Sequence, residues 1–177
     1  MNDSEFIKKL LPGDLICIRG ESIIGKVIRW TTESNVNHVG MYIGNGLMIE
    51  STLGSGVRIL PITLYLADPA TQVFIARVKV PIDSDALIAK ALTYFGSKYQ
   101  LLGQIGILFK ALVKKAGLSK YVTFWGTNKL NTDRVWCSEY MGYVFGSQNI
   151  SFAPEDPSYL SPGDVYNSPI VEHINLI

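Results

Sequence analysis

The order of apolar and polar positions along the chain predicts strands mainly in its first half and helices mainly in its second. Short β-prone runs bounded by turn residues predict strands at 15–18, 39–43, 47–51, 57–60 and 73–80. Apolar residues at helical spacing predict helices at 21–30, 83–95, 101–118 and 135–145. The tail from residue 153 is rich in proline, and we expect it to be mostly irregular. The chain should therefore combine a small sheet with several helices.

The clearest local signal is a hairpin around Gly-Asn-Gly at residues 44–46, between two β-prone runs. Its register decides whether His38 and Glu50, one on each strand, lie on the same face of the sheet. A two-residue turn would pair Met41 with Glu50 and place His38 on the opposite face. A three-residue loop would pair Gly40 with Glu50 and place His38 on the same face, diagonal to Glu50. The last glycine of the loop suits the bulge position that such loops need, which favours the second register.

Glu50 is the residue of this hairpin that most needs a partner. It falls in an otherwise apolar strand, where a buried carboxylate is costly unless it is paired. His38 is the obvious candidate, and it is one of only two histidines in the sequence. A histidine oriented by a carboxylate can activate a thiol near neutral pH. The alternative is a purely structural histidine, which is the commoner case for a single histidine on a strand.

Cys137 is the candidate nucleophile. It lies at the second or third position of the helix predicted at 135–145, where unpaired backbone N–H groups and the helix dipole favour a thiolate. It also lies on the apolar face of that helix, so a small core residue is an equally physical interpretation. Cys17, the other cysteine, follows a strand pattern and is expected to pack in the core. We therefore expect no disulfide framework.

Length and composition limit the class of protein. The 177 residues fit one domain, and 47% apolar with 18% charged residues exclude a disordered chain. Sixteen basic residues against fifteen acidic ones provide no general field for phosphate groups, so nucleic acid is not an expected partner. The first residues lack the pattern of a signal peptide, and no apolar run is long enough to span a membrane. A cytoplasmic protein is the expectation.

Several motifs resemble those of one enzyme family. Pro-Gly-Asp-Leu at 12–15, His-Val-Gly-Met-Tyr-Ile-Gly-Asn-Gly at 38–46 and Met-Ile-Glu-Ser at 48–51 resemble the histidine half of NlpC-type papain-like hydrolases. In the usual members the cysteine half comes first, whereas here Trp-Cys-Ser-Glu-Tyr at 136–140 comes last. That order resembles the circularly permuted, YiiX-like branch. Gly-Ser-Lys-Tyr at 96–99 resembles the superfamily's Gly-x-x-Tyr element, and Ser-Pro-Gly-Asp at 161–164 resembles the closing segment of permuted members.

The resemblance implies a role for each candidate residue. Cys137 would be the nucleophile, His38 the general base and acid, and Glu50 the residue that orients the imidazole. Tyr99 would line the cleft and help to hold the oxyanion, together with the backbone N–H of Cys137. Glu139 matches the Cys-Ser-Glu motif but faces away from Cys137, so we interpret it as structural. Asp14 is interpreted in the same way, as a turn or cap residue.

The same resemblance implies an α+β fold of permuted papain-like type, with a small antiparallel sheet or partial barrel packed against helices. Residues 1–177 would form a single hydrolase domain with a helical insertion near 100–132. The implied reaction is hydrolysis of an amide bond through an acyl-enzyme, in a cell-wall peptide or a lipid-linked substrate. No metal or cofactor is expected. The alternatives are a lipid acyltransferase or phospholipase of lecithin:retinol acyltransferase type, and a non-catalytic binding module, for instance a phage or viral accessory protein.

The segment between Tyr99 and Cys137 departs from compact family members. The helix predicted at 101–118 is apolar on one side and carries Lys110, Lys114 and Lys115 on the other. Such a helix could pack on the core with its lysines in solvent, cover the cleft as a lid, or contact a membrane surface. The sequence leaves the substrate and the oligomeric state open.

Overall fold

The computed structural model describes residues 3–100 and 134–175. The helices are α1 (Asp3–Lys8), α2 (Ile23–Thr32), α3 (Thr63–Leu66), α4 (Ser84–Leu92), α5 (Cys137–Gly146) and α6 (Pro162–Tyr166), with a short 3-10 helix at Pro157–Tyr159. The strands are β1 (Leu15–Gly20), β2 (His38–Gly44), β3 (Leu47–Thr52), β4 (Gly56–Pro61), β5 (Thr71–Val78) and β6 (Val171–Ile174). None of these helices has the length and apolar character needed to cross a membrane. The predicted helix at 101–118 and the predicted insertion near 100–132 lie outside the described residues.

The described strands form one antiparallel sheet in the order β4-β3-β2-β1-β5-β6. This confirms the α+β fold with an antiparallel sheet, and all five predicted strands are present with slightly different ends. The prediction of a mostly irregular tail was wrong, because β6 pairs with β5, from Val78 opposite Val171 to Ile75 opposite Ile174, and forms the edge of the sheet. Since β6 has four residues and only its first is buried, it carries too little apolar pattern to be recognised from the sequence.

Apolar side chains cover both faces of the sheet. On one face, Val39, Met41 and Ile49 pack with residues of α4, α5 and α6 in the larger core. On the other face, residues including Tyr42 and Met48 pack with residues of α1 and α3 in a smaller cluster. Burial on both faces explains why several strands appear in the sequence as continuous apolar runs rather than as strict alternation. It also explains why Glu50, on the face of Met48, is completely buried.

The β2–β3 hairpin has the predicted register but not the predicted loop. Gly40 pairs with Glu50, so His38 lies on the same sheet face as Glu50. The turn, however, has two residues, with φ of 52° at Asn45 and 74° at Gly46, and the extra residue is a bulge at Ile43. Asparagine followed by glycine suits a turn in which both central residues have positive φ. A two-residue turn without a bulge would pair Met41 with Glu50. The extra residue in β2 restores the pairing of Gly40 with Glu50.

The predicted helices at 21–30 and 83–95 correspond to α2 and α4. Helix α2 begins after Ser22, whose hydroxyl accepts a hydrogen bond from the Gly25 N–H at 3.0 Å. Helix α4 begins after Asp83, whose carboxylate accepts one from the Ala86 N–H at 3.0 Å. It ends earlier than predicted, at Leu92, and only turns follow it up to Gly96.

The β3–β4 hairpin offers a matched test of packing at two glycines with positive φ. A β-carbon on Gly56 (φ 68°) would lie 2.1 Å from the carbonyl oxygen of Ser97, whereas one on Gly54 (φ 89°) would meet nothing within 4 Å. We expect Gly54→Ala to lower the free energy of unfolding by about 1 kcal/mol, the cost of the left-handed backbone. Gly56→Ala should lower it by about 3 kcal/mol, because backbone must also move. Urea unfolding measures both, and equal losses would contradict the contact with Ser97.

Candidate active site

A cleft opens at one end of the sheet, where β1 and β3 end and β2 and β5 begin. It has a volume of about 260 Å³, and its lining includes His38, Tyr65, Tyr99 and Cys137. His38 and Cys137, which are far apart in the sequence, therefore border the same cavity. Tyr99 borders this cavity too. Glu50 does not line it, since its carboxylate is buried behind His38. This cleft is the candidate active site.

Cys137 is the first residue of α5, not the second or third as predicted. The reason is that Trp136 is extended, with φ −93° and ψ 174°, and acts as the N-cap. Its backbone N–H donates to the Glu139 carboxylate at 3.2 Å. Because the first N–H groups of a helix have no acceptor within the helix, the Cys137 N–H lies at the position where an anion can be bound.

The start of α5 is fixed by hydrogen bonds on both sides of Cys137. The indole N–H of Trp136 and the hydroxyl of Ser138 both donate to the Leu160 carbonyl, at 3.1 and 2.6 Å. The buried Ser51 hydroxyl of β3 donates to the Val135 carbonyl at 2.6 Å. Ser51 follows Glu50 directly and points to the opposite face of the sheet. One strand therefore positions both the residue that contacts His38 and the segment that leads to Cys137.

Residues 96–98 connect this segment to β4. The Gly96 N–H donates to the Val57 carbonyl, the Val57 N–H donates to the Ser97 carbonyl, and the Val135 N–H donates to the Lys98 carbonyl, at 3.1, 2.8 and 3.0 Å. Tyr99 follows immediately and lines the cleft. The Gly-x-x-Tyr segment therefore lies between the sheet and the approach to the candidate nucleophile.

The Glu50 carboxylate is fully buried and accepts hydrogen bonds on both oxygens. His38 Nε2 lies 2.6 Å from Oε2, and the Tyr65 hydroxyl donates to the same oxygen at 2.8 Å. Arg58 donates to Oε1 through Nε at 3.0 Å and through Nη2 at 2.8 Å. The His38 side chain is only 15% exposed. These contacts supply the partners that a buried carboxylate requires.

The pKa values of this pair separate in the directions expected of an ion pair. Burial alone would lower the pKa of His38, but the charge of Glu50 and hydrogen bonds with Cys137 and Glu50 outweigh it and raise the pKa to about 10. Burial would likewise raise the pKa of Glu50, but His38, Tyr65 and Arg58 lower it to about 2. Both shifts favour the charged forms, an imidazolium beside a carboxylate.

Arg58 and Tyr65 are the site residues that sequence reasoning missed. A signal existed for Arg58, because the three-residue loop at 53–55 pairs it directly with Glu50 across the β3–β4 hairpin. No comparable signal existed for Tyr65. It lies on the four-residue helix α3, which is too short to show a helical period in the sequence.

The residues interpreted as structural have the surroundings expected of that role. Glu139 is a buried residue of the first turn of α5, and burial raises its pKa to about 7. Asp14 closes its turn by accepting from the Leu11 N–H and binds Arg77 through both carboxylate oxygens, at 2.6 and 2.7 Å. Cys17 is fully buried and forms no disulfide.

The pH dependence of stability tests the His38–Glu50 pair. The folded-state pKa of His38 lies above the ordinary value of about 6.5, so its contribution is complete below that pH and is lost as the pH rises toward about 10. The difference in unfolding free energy between wild type and His38→Gln should therefore shrink above about pH 6.5, by at most about 1.4 kcal/mol per pH unit.

Urea unfolding from pH 5 to pH 9 measures this difference. His173→Gln is the matched control, because it removes the other histidine and should leave the His38 contribution in place. A difference between wild type and His38→Gln that stays constant or grows above about pH 6.5 would contradict the ion pair.

Comparison with known proteins agrees with this architecture. The NlpC/P60 family model matches residues 2–75, which include His38 and Glu50 but not Cys137. The fold is similar to the crystal structure of metalloprotein yiiX from Escherichia coli O157:H7, DUF1105. The TM-score is 0.65 at 17% sequence identity, over 93% of this chain and 96% of that one. No curated protein matches the sequence. Residues 2–75 are therefore similar to the NlpC/P60 family, and the chain as a whole shares the fold of the yiiX structure.

Proposed function

We propose that this protein is a cysteine hydrolase of amidase or peptidase type, in which Cys137, His38 and Glu50 form a catalytic triad. The observation that carries the proposal is the 2.6 Å contact between His38 and the buried Glu50, at the cleft where Cys137 begins α5. The NlpC/P60 match supports the general class, because that family consists generally of cysteine hydrolases.

In the first half of the proposed reaction, Cys137 starts as a thiolate beside protonated His38, and its sulfur attacks the carbonyl carbon of an amide and forms an S–C bond. The π electrons move to the carbonyl oxygen. Because Nε2 of His38 is paired with Glu50, Nδ1 is the ring nitrogen left for Cys137 and for the leaving group. His38 donates its proton to the departing nitrogen, the C–N bond breaks, and a thioester remains on Cys137.

In the second half, neutral His38 accepts a proton from water as the water oxygen attacks the thioester carbon. The C–S bond breaks, the acid is released, and Cys137 with protonated His38 is restored. Glu50 keeps the imidazole in one orientation and stabilises its charged form throughout. Arg58 and Tyr65 support that role through their hydrogen bonds to Glu50.

The oxyanion would be held by the backbone N–H of Cys137, with Tyr99 as a second donor. The N–H belongs to the first residue of a helix, and Tyr99 lines the same cleft. The dipole of α5 points its positive end toward the same place.

We further propose that the chain is a circularly permuted single domain. The order of His38 before Cys137, and a family match that covers the histidine half alone, support this.

Contact of 101–118 with a membrane surface is a separate proposal, and that segment lies outside the described residues.

The YiiX protein with the similar fold is described as a metalloprotein. The described part of this chain contains no group of three or more His, Cys, Asp and Glu side chains that could hold a metal ion. In the proposed site, both carboxylate oxygens of Glu50 already form hydrogen bonds, with His38, Arg58 and Tyr65. The described residues of this site therefore do not fit a metal ion, and each step above uses groups of this chain.

Thiol alkylation tests the proposed pairing of Cys137 with His38. In a Cys17→Ser background, Cys137 should react with iodoacetamide at pH 6 at least about tenfold faster than in the same protein with His38→Ala. His173→Ala is the matched control and should react as the parent does. Mass spectrometry gives the rates, and circular dichroism checks that each variant is folded. Equal rates with and without His38 would count against the triad and favour a binding module.

A further inference from the structure

Asn37 is a polar side chain of the cleft whose oxygen and nitrogen have different surroundings. The residue directly precedes His38 and lines the cleft together with it. Its Oδ1 accepts hydrogen bonds from the Gly20 N–H at 2.7 Å and from Arg29 Nη1 at 3.4 Å. None of the described residues accepts a hydrogen bond from its Nδ2. The amide nitrogen therefore keeps two N–H donors for a ligand.

The orientation of this amide is set by its neighbours. A backbone N–H and a guanidinium group can only donate, so the oxygen of Asn37 must face Gly20 and Arg29 and the nitrogen must face away. The backbone N–H of Asn37 donates to the Ile18 carbonyl at 2.9 Å. Arg29 is held in turn, since it donates to the Gly20 carbonyl and to Glu21, and its side chain is only 12% exposed. The donor is therefore in place before a ligand arrives.

The space beside the amide nitrogen depends on a glycine of α2. A β-carbon on Gly25 would lie 2.6 Å from Asn37 Nδ2, which is closer than two such atoms can approach. Gly25 and Gly20 both line the cleft next to Asn37. Residue 25 thus leaves room for the amide because it has no side chain.

The charges around the cleft limit the group that Asn37 can bind. None of the described residues that line the cleft is Asp, Glu, Lys or Arg, and His38 is paired with Glu50. A carboxylate or phosphate that entered would lose water without gaining a free opposite charge, which is costly. The charge of Arg29 at the oxygen end polarises the Asn37 amide and strengthens its N–H donors. A neutral acceptor with lone pairs, such as a carbonyl oxygen, suits this position.

We propose that Asn37 determines specificity by donating a hydrogen bond to the carbonyl oxygen of a second amide group in the substrate. The carbonyl that is attacked lies at Cys137, and the second one lies farther along the same cleft. This inference rests on the proposed hydrolase function and names the substrate class, a chain with at least two amide groups. Asn37 also positions the neighbouring backbone, so its test must separate binding from that structural role.

Acylation by matched pairs of p-nitrophenyl esters tests the inference. The esters of N-acetylglycine, N-acetyl-β-alanine and N-acetyl-γ-aminobutyrate place the second carbonyl at increasing distances from the ester. Each is compared with the alkanoyl ester of equal chain length, the pentanoate, hexanoate or heptanoate. The measured quantity is the ratio of the two rates of nitrophenol release in the Cys17→Ser background, after subtraction of the rates of the Cys137→Ala variant.

Asn37→Asp should lower this ratio by about fivefold or more for at least one pair of esters. The aspartate keeps an oxygen for the Gly20 N–H and Arg29, but it replaces the N–H donors with an oxygen that repels a carbonyl. The ratio cancels any change in the reactivity of Cys137, and a purely structural role would leave it unchanged. Asn149→Asp is the matched control, because Asn149 is exposed and does not line the cleft. Circular dichroism checks the folding of each variant.

The outcomes separate the two proposals. Cys137-dependent release with the same ratios in the parent and in Asn37→Asp would overturn the role of Asn37 and leave the hydrolase proposal standing. Absence of Cys137-dependent release from every ester would count against the hydrolase proposal, and a binding experiment then decides the role of Asn37.

For that experiment, the ¹⁵N-labelled Cys137→Ala protein is titrated with the N-methylamides of the same N-acetylated acids. N-methylhexanamide, which has a single amide group, is the control ligand. The side-chain amide signals of Asn37 are identified by NMR from their loss in Asn37→Asp. A saturable downfield shift of these protons with a diamide, and none with N-methylhexanamide, would support the inference even if no ester reacts. No shift with any diamide, or equal shifts with the control ligand, would overturn it.

Discussion

The site depends on the complete burial of one carboxylate, that of Glu50. A charged carboxylate without partners in this interior would cost several kcal/mol, so it must be surrounded by donors. Those donors come from three directions: His38 from the neighbouring strand, Arg58 from the strand on the other side, and Tyr65 from α3. The same requirement that stabilises the charge fixes the register of β2, β3 and β4. It also orients the imidazole that faces the cleft.

The cysteine half of the site is positioned by neutral hydrogen bonds instead of charges. Ser51 holds the Val135 carbonyl, and the residues on either side of Cys137 share the Leu160 carbonyl. Because Glu50 and Ser51 are adjacent and point to opposite faces, β3 connects the two halves through the thickness of the sheet. Residues separated by about half the chain are thus held at one cleft, where small displacements of reacting groups are costly to a reaction.

Much of this site could be predicted because the decisive signals are local. The pairing of Gly40 with Glu50 follows from counting residues through one hairpin, although the structure reaches it by a bulge at Ile43. The same counting across residues 53–55 would have identified Arg58. Tyr65 could not be predicted, because the position of a four-residue helix depends on tertiary packing. The strand β6 was missed because edge pairing, not burial, holds it.

The central claim is that Glu50 keeps His38 charged beside Cys137, and NMR of the imidazole nitrogens tests it most directly. In a ¹⁵N-labelled His173→Gln background, His38 is the single histidine left in the sequence. At pH 8, both ring nitrogens should have the shifts of a charged imidazolium, because the pKa of His38 is raised to about 10. With Glu50→Gln, the largest interaction that raises the pKa is lost, and the ring should become neutral at the same pH. A neutral His38 at pH 8 in the protein with Glu50 intact would contradict the account.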